Sequence, residues 1–438
     1  MPPVPLVNIV AFEHQFLAYS AIEHWRESHA QALEQLQARH KTGGSWFTLE
    51  RKGIRFTEYV GVVQLPGLNM EILPKADDPN KAAKPTTTEQ TILQDRWRNV
   101  LLGMLRQVLS LPLTTPSAAN LAAAPHRMLD IFLAAFVQQA EGVFRRGLVK
   151  QYHTTEGNQS ALKGQLLFGQ HLNQNLLHKE RFFTRHQVYD RVHPLNCLLR
   201  MALQRTADVA YGAALAARAR TLLLHWPEVP EVAIPDERPL LNQKTQHYGP
   251  ALDLALLILR AQSPSLQRGR NQALALLFDM NSLFEGYVES LLRRAATAAG
   301  CIVHAQQEKA FWATIKARPD IVVTIRPPAQ GPTSAYNCIL DVKWKVPKAD
   351  KPTADDMRQV YTYCHLWGAA HGLLLYPRVS PGQQPRRAVY AHSEFAEAGA
   401  KISGQTMFAP VLLANTTLNL KLGHDVLEAL RTLQTLHE

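Results

Sequence analysis

The stretch NCILDVKWK, residues 337–345, follows ARPDIVVTI, residues 317–325, after a proline-containing connection. Both stretches are rich in β-branched and apolar residues, which predicts two neighbouring β-strands. Side chains alternate faces along a strand, so Asp341 and Lys343 share one face while Val342 points to the other. Neighbouring strands lie about 4.8 Å apart, so a β-meander would bring Asp320 beside Asp341. The sequence therefore predicts two carboxylates and one ammonium at one edge of a sheet.

This trio suits metal-assisted hydrolysis of a phosphodiester bond. Oxygen ligands such as Asp320, Asp341 and the carbonyl of Val342 can hold Mg²⁺, or alternatively Mn²⁺, while positions stay open for water. The ion lowers the pKa of a bound water and polarises the phosphoryl oxygen. Lys343 stays charged beside two carboxylates, so its expected role is to hydrogen-bond the attacking water and to offset charge in the transition state.

Two further features accompany the trio. Gln359 and Tyr363, in RQVYTYCHLW (residues 358–367), lie four positions apart on one face of a predicted helix and could contact a phosphate or brace Lys343. Glu285, in NSLFEGYVESLL (residues 281–292), is an acid among apolar residues, a placement that favours a metal partner over free solvent. Glu289, one turn further on, is the competing choice.

Each of these residues also has a purely structural interpretation. Asp341 and Lys343 could form an exposed ion pair on an edge strand, Asp320 could simply begin a strand, and the glutamine and tyrosine could lie on an ordinary helix surface. Roughly two or three D/E-x-K triplets are expected by chance in a chain of this length. A second one, Glu50-Arg51-Lys52, falls in a predicted hairpin turn and is interpreted as solvated. The ordered succession of all four features within one domain favours a catalytic site.

Composition narrows the class of protein. The 438 residues are 46% hydrophobic with 19% charged residues and a formal net charge of +11, which is typical of a globular protein with an affinity for polyanions. No stretch reaches the length of a membrane span and no secretory signal is evident, so we expect a cytoplasmic protein. The four cysteines show no metal-binding spacing and are expected to be buried thiols.

Hydrophobic periodicity and turn residues suggest three segments. Residues 1–110 are expected to form an α+β region, with a helix over residues 8–41 followed by short strands. Residues 111–240 are expected to be mostly helical with a β and loop insertion. Residues 241–438 are expected to begin with helices over about 250–299 and to continue as strands, a helix over about 354–370 and the buried strand GLLLYP. Residues 76–89 read as an exposed loop.

The motifs RPDIVV, ILDVKWK and QVYTY, in this order, resemble those of the PD-(D/E)xK nuclease superfamily, in the branch with a Q-x-x-x-Y helix. The wider chain is similar to the McrC family, the nuclease subunits of McrBC-type modification-dependent restriction systems. The similarity extends over most of the chain and includes the following stretches: GVVQLPGLNMEILPK, LKGQLLFGQHLNQNL, HPLNCLLRMAL and LFEGYVESLLRR.

The resemblance implies an α/β fold: α+β N-terminal and middle regions that dock the partner, and a C-terminal restriction-endonuclease-like domain with a central mixed sheet flanked by helices. It implies catalytic positions at Asp320, Asp341 and Lys343, with Gln359 and Tyr363 on an accessory helix. It also implies work in the bacterial or archaeal cytoplasm with an AAA+ GTPase of McrB type on double-stranded, methylated DNA, in antiviral defence. The chain has no G-x-x-x-x-G-K-[ST] phosphate loop, so the motor must be another protein.

Two rival functions stay open at this stage. A stand-alone RecB-like nuclease would cut DNA without a partner. A non-catalytic activator would grip DNA without cutting it. Serine or zinc hydrolysis has no anchor, because the sequence contains neither G-x-S-x-G nor H-E-x-x-H.

Overall fold

A computed structural model describes residues 6–39, 45–75, 87–111, 128–178, 180–261, 274–326, 335–378, 382–394, 401–413 and 417–432. The chain folds as two compact units. Unit 1 comprises Met1–Ser117 and Ala275–Glu438, and unit 2 comprises Ala118–Leu274. This grouping differs from the three segments suggested by the sequence, because the segments 1–110 and 241–438 fall largely within one unit.

The described α-helices, in chain order, are α1 (Glu27–Arg39), α2 (Thr87–Val108), α3 (Met128–Arg146), α4 (Phe168–Asn175), α5 (Pro194–Val209), α6 (Ala213–His225), α7 (Gly249–Arg260), α8 (Met280–Ala298), α9 (Ala354–Trp367) and α10 (Leu422–Thr432). Short 3-10 helices cover Tyr19–Ala21, Gln246–Tyr248 and Lys348–Asp350. No helix in the described ranges combines the length and apolarity that crossing a membrane requires.

The described strands are β1 (Val7–Phe12), β2 (Phe16–Ala18), β3 (Phe47–Glu50), β4 (Gly53–Phe56), β5 (Tyr59–Leu65), β6 (Leu68–Leu73), β7 (Gln151–Gln159), β8 (Gln165–Leu166), β9 (Phe182–Asp190), β10 (Leu274–Asp279), β11 (Ile302–Ala305), β12 (Lys309–Trp312), β13 (Ile315–Ala317), β14 (Ile321–Ile325), β15 (Tyr336–Val342), β16 (Ala369–Pro377), β17 (Arg387–Glu394) and β18 (Lys401–Ala409). Helices and mixed sheets together confirm the expected α/β class.

The largest sheet of unit 1 has six strands in the order β11-β14-β15-β16-β18-β17. The pairs β15–β16 and β16–β18 are parallel, and the pairs β11–β14, β14–β15 and β17–β18 are antiparallel. The parallel step from β15 to β16 is made through α9, which packs on both strands. The expected central mixed sheet is therefore present, and β15, one of its two central strands, ends in Asp341 and Val342, with Lys343 directly after it.

Helix α9 lies close against this sheet. Val360 and Cys364 are buried in the same core cluster as Leu374 of β16. A Cβ atom at Gly372 would lie 2.2 Å from Cγ1 of Val360, so the absence of a side chain at Gly372 permits the approach. The close packing fixes the height of α9 above the end of β15. All four cysteines are free and buried, as expected.

The N-terminal prediction was wrong in part. The predicted helix over residues 8–41 begins only at Glu27, and the preceding residues form β1 and β2. In β1, Val7, Ile9 and Ala11 are buried while alternate residues are more exposed, which is the period of a strand. Strand β1 pairs in parallel with β6, some sixty residues further along the chain, so the decisive contacts are non-local.

The predicted helices over residues 250–299 are interrupted. Helix α7 ends at Arg260, and the apolar run from Leu274 to Asp279 is strand β10, which adds to the sheet β1-β6-β5-β10. A short apolar run without period fits a buried strand or a buried helix equally well, which explains the error. Most of the loop predicted over residues 76–89 lies outside the described residues, and α2 begins at Thr87.

Unit 2 combines a three-stranded sheet with helices α3 to α7. Strands β7 and β9 form a long antiparallel pair, with Gln151 opposite Asp190, and β8 joins the other edge of β9. The helical part has a buried hydrogen-bond centre at Asn196. Its side chain accepts from the Tyr248 hydroxyl at 2.7 Å and donates to the carbonyl of Val149 at 2.9 Å.

Candidate active site

Asp320 and Asp341 meet across the antiparallel pair β14–β15. The register pairs Ile321 with Leu340, so one further step brings Asp320 opposite Asp341. The Oδ2 atom of Asp320 accepts a hydrogen bond from the backbone N–H of Val342 at 2.7 Å, which holds this carboxylate at the end of β15. The predicted juxtaposition of the two acids is therefore present in the structure.

Asp341 is fully buried, with 0% of its surface exposed. Burial raises the pKa of Asp341, and the neighbouring Asp320 raises it further. Burial also raises the pKa of Asp320, although the Val342 hydrogen bond and the nearby Lys343 oppose the shift. Raised pKa values on two neighbouring carboxyl groups indicate that negative charge is concentrated in a poorly solvated site, where a bound cation would stabilise it.

Lys343 supplies one such cation. Its Nζ lies 2.9 Å from Oδ2 of Asp341, and the lysine side chain is 23% exposed. Burial alone would lower the pKa of Lys343, but the contact with Asp341 and the proximity of Asp320 outweigh this and raise it. The lysine is therefore a permanent positive charge on the same face as the two acids, as the strand alternation predicted.

One ammonium does not satisfy the buried carboxylate. Lys343 pairs with Oδ2 of Asp341, but the buried Oδ1 has no hydrogen-bond partner among the described residues. A buried polar atom without a partner costs about 1–3 kcal/mol, more if charged, and calls for a ligand. The described residues contain no cluster of three His, Cys, Asp or Glu side chains able to surround an ion. Two carboxylates with a backbone carbonyl and several waters fit Mg²⁺, which keeps much of its water in proteins.

Gln359 and Tyr363 extend the site along helix α9. Lys343 Nζ donates to Oε1 of Gln359 at 3.1 Å, and Nε2 of Gln359 donates to the Tyr363 hydroxyl at 2.9 Å. Burial raises the pKa of Tyr363, and the charges of Asp341 and Asp320 add to this. Gln359 thus braces Lys343, and Tyr363 braces Gln359, while a contact of the pair with a phosphate stays a prediction.

Glu285 faces the same site from α8. Burial raises the pKa of Glu285 to about 7, and Asp320 adds to the shift more than Asp341 does. Glu289, the competing acid, instead forms an ion pair with Arg293 at 2.7 Å. The structure thus places Glu285 within the field of the two aspartates and gives Glu289 a structural partner.

Two residues next to the site were not recognised from the sequence. The Trp344 indole N–H donates to Oε1 of Glu13 at 2.7 Å, and the indole packs edge-on against Phe284 with ring centroids 5.0 Å apart. Glu13 is 5% exposed, and burial raises its pKa to about 7. Strand alternation indicates that Trp344 points away from Lys343 into the interior. Its partner, 331 residues away in sequence, carries no local signal.

The D/E-x-K triplet at residues 50–52, unlike the one at residues 341–343, lies in a hairpin turn, as expected. Glu50 ends β3, and the turn residues Arg51 and Lys52 lead into β4. Glu50 is bound to Arg55 at 2.6 Å in an exposed ion pair. This triplet is an ordinary hairpin turn.

Two solved structures are similar to this chain over different shares of its length. A refined half-complex from a tetradecameric assembly of Thermococcus gammatolerans McrB AAA+ hexamers with bound McrC matches with a TM-score of 0.66 and 18% identity, covering 97% of this chain and 100% of that chain. A cryo-EM structure of the Thermococcus gammatolerans McrBC complex matches with a TM-score of 0.47 and 16% identity, covering 66% and 88%. No curated protein matches the chain.

The first of these similarities concerns the fold, because the identity is low. Family membership is carried by the sequence itself, since residues 54–377 match one family over more than half of the chain. The matched range includes the aspartates, the lysine and the glutamine–tyrosine pair of α9. The chain therefore belongs to the family of McrBC 5-methylcytosine restriction system components.

Proposed function

We propose that this chain is the Mg²⁺-dependent endodeoxyribonuclease subunit of a McrBC-like restriction complex and that it hydrolyses phosphodiester bonds in double-stranded, methylated DNA. The observation that carries the proposal is the buried carboxylate of Asp341. It lies opposite Asp320, its Oδ2 is paired with Lys343 at 2.9 Å, and its buried Oδ1 has no hydrogen-bond partner among the described residues. Two acids and a lysine in this arrangement support the assignment to a PD-(D/E)xK nuclease.

Asp320, Asp341 and the carbonyl of Val342 are the proposed ligands. When bound, Mg²⁺ supplies a polarised phosphoryl oxygen and an acidified water. The Val342 N–H holds Oδ2 of Asp320, so Oδ1 is the oxygen proposed to face the ion. Glu285 adds a carboxylate that can orient a water molecule at the same centre. Mn²⁺ takes the same oxygen ligands and is expected to substitute.

Lys343 acts as a charge and not as a base. Its raised pKa keeps the ammonium protonated, and Gln359 and Asp341 hold Nζ from two sides. A fixed positive charge in a poorly solvated site stabilises the negative charge that develops on the phosphoryl oxygens. Tyr363 holds Gln359 in turn, so the two α9 residues are proposed to position the lysine.

We further propose an AAA+ GTPase of McrB type as the partner, with this chain stimulating its nucleotide hydrolysis. The similar structure from Thermococcus gammatolerans is of McrC bound to McrB AAA+ hexamers. The absence of a phosphate loop in this sequence is consistent with a separate motor. A stand-alone RecB-like nuclease and a non-catalytic DNA-gripping activator are the alternatives that experiment must exclude.

The central test compares two lysines in D/E-x-K triplets. Lys343→Met is expected to lower the rate of plasmid cleavage by about 10²- to 10³-fold, the cost of losing one preorganised electrostatic group. Lys52→Met, in the hairpin triplet, is the matched control and should leave the rate unchanged. Asp341→Asn should abolish cleavage and weaken Mg²⁺ binding measured by calorimetry. Full activity of Lys343→Met or Asp341→Asn would refute the assignment.

The same assay separates the alternatives. Cleavage is measured with and without the AAA+ protein, GTP and Mg²⁺, on methylated and unmethylated plasmid. Cutting that requires the partner and GTP supports the proposed complex. Cutting by the purified chain alone supports the stand-alone nuclease. Partner stimulation that survives Asp341→Asn, with no cutting by the unaltered chain, supports the non-catalytic activator.

A further inference from the structure

A small hairpin protrudes immediately before Asp320. Between β11 and β14 the chain leaves the six-stranded sheet and forms the two-stranded pair β12–β13, residues 309–317, which we call the 309–317 hairpin. Every residue from Lys309 to Lys316 is exposed. Its tip carries three large apolar side chains, with Phe311 55%, Trp312 71% and Ile315 52% exposed. Such a cluster on a tip that builds no core indicates a binding surface.

The base of the hairpin is held against the site. The backbone N–H of Gln306 donates to the carbonyl of Asp320 at 2.9 Å. Lys309 Nζ donates to the carbonyl of Leu366 at 2.9 Å and lies 4.9 Å above the ring of Trp367. Trp367 in turn packs edge-on against Tyr363, with centroids 6.2 Å apart. The hairpin is therefore anchored to the two elements that carry the candidate catalytic groups, and only its tip is free.

The hairpin is also irregular at the aromatic residues. Ala310 pairs with Lys316 and Trp312 pairs with Ile315, so the register shifts between Ala310 and Trp312 and leaves Phe311 as an extra residue. A bulge of this kind re-aims side chains and is frequent beside active sites. Here it breaks the alternation of faces at the point where two large aromatic residues follow each other.

The charge of the segment favours a polyanion. Lys309, Lys316 and Arg318 are basic, and Glu308 is the acid of the same segment. Glu308 is bound to Lys316 at 2.6 Å, while Arg318 is exposed two residues before Asp320. Basic side chains neutralise backbone phosphates, and exposed aromatic rings stack on bases that have left the duplex stack.

We propose that the 309–317 hairpin holds DNA beside the scissile phosphate, with Lys316 and Arg318 on the backbone and Phe311 and Trp312 against unstacked bases. This inference rests on the proposed nuclease function, because it places the DNA at Asp320 and Asp341. The hairpin then helps to set the position and local opening of the strand that enters the metal site.

The test measures binding separately from cutting. Affinity of the full chain for a short duplex, and for the same duplex with two central mismatches, is measured by fluorescence anisotropy with Ca²⁺ in place of Mg²⁺. The double variant Phe311→Ala/Trp312→Ala is expected to weaken binding to the mismatched duplex about tenfold or more, in line with the stacking of one or two bases. Tyr211→Ala, which removes a 56% exposed aromatic residue from unit 2, is the matched control and should have no effect.

The basic residues give a second readout. Arg318→Gln should reduce the slope of log affinity against log salt by about 0.9, the value for one phosphate contact. Unchanged affinity and unchanged salt slope would overturn the proposal. Normal DNA binding with lost association to the AAA+ protein would also overturn it and would assign the tip to a protein partner. Because these measurements do not need cleavage, failure of the hairpin is distinguishable from failure of the nuclease assignment, which Asp341→Asn reports.

Discussion

Replacing Glu13 with glutamine is expected to stabilise unit 1 at pH 8 and to leave its stability unchanged at pH 4. Oε1 of Glu13 accepts from the Trp344 indole and from the backbone N–H of Lys75, both at 2.7 Å. A glutamine carbonyl can accept both bonds. Oε2 has no hydrogen-bond partner among the described residues. The glutamine amide therefore mimics the protonated carboxyl in shape and in hydrogen bonding.

The sign follows from the pKa of Glu13, which burial raises from 4.5 to about 7 in the folded chain. Below pH 4.5 the carboxyl is protonated in both the folded and unfolded states, and its full contribution to stability is present. As the pH rises, the unfolded chain releases the proton first, so this stability is lost progressively until the folded carboxyl also ionises. The difference in pKa corresponds to a loss on the order of 3 kcal/mol above pH 7. Glutamine does not ionise and escapes the loss.

Hydrogen exchange read by mass spectrometry, corrected for the intrinsic exchange rate at each pH, gives the opening free energy of a peptide spanning β1. The difference between Glu13→Gln and the unaltered chain should grow from near zero at pH 4 to about 3 kcal/mol at pH 8. A peptide from α5 in unit 2 is the internal control and should not change. A difference that is constant from pH 4 to pH 8 would refute the reasoning, since it would mean that Glu13 titrates normally.

Three other substitutions test the site and the fold. Glu285→Gln should lower the single-turnover cleavage rate about 10- to 100-fold, the usual cost of losing a group that supports a metal centre. Glu289→Gln is the control and should leave the rate unchanged. Equal effects of the two substitutions would contradict the assignment of roles. Gln359→Ala removes the hydrogen-bond acceptor that holds Lys343 and should lower kcat about tenfold at unchanged KM, measured by initial rates. A change confined to KM would indicate that Gln359 contacts the substrate instead. Gly61→Ala should lower the free energy of unfolding of unit 1, measured by urea denaturation, by about 3 kcal/mol. Gly61 has a φ of 137°, and a Cβ there would lie 2.0 Å from a backbone oxygen of β10. An unchanged free energy of unfolding would contradict the close approach of the two strands.

Much of the candidate site could be predicted from local patterns. Strand alternation placed Asp341 and Lys343 on one face of a strand, and helix periodicity placed Gln359 and Tyr363 on one face of a helix. The contacts between these four residues agree with both predictions. Asp320 followed from the assumption of a meander, which the antiparallel pairing of β14 and β15 satisfies. These inferences succeeded because the period of a strand or a helix is a property of the backbone.

Other features could not be inferred in this way. The sequence favoured a helix over residues 8–41 because β1 is short and its partner β6 is distant in sequence. The apolar run of β10 likewise fits a helix or a strand until its place in a sheet is known. The partnership of Glu13 with Trp344 spans 331 residues, and neither residue signals it locally.

The sequence by itself determined the identity of the acids and the lysine, their order, and the faces on which they lie. Only the tertiary structure decided that Asp341 is fully buried, that Glu285 and not Glu289 shares its field, and that both ends of the chain form one unit. The physical reason is that burial and charge coupling depend on which distant segments pack together. Periodicity fixes the direction in which a side chain points. The desolvation of that side chain depends on residues that are distant in sequence and pack around it in the fold.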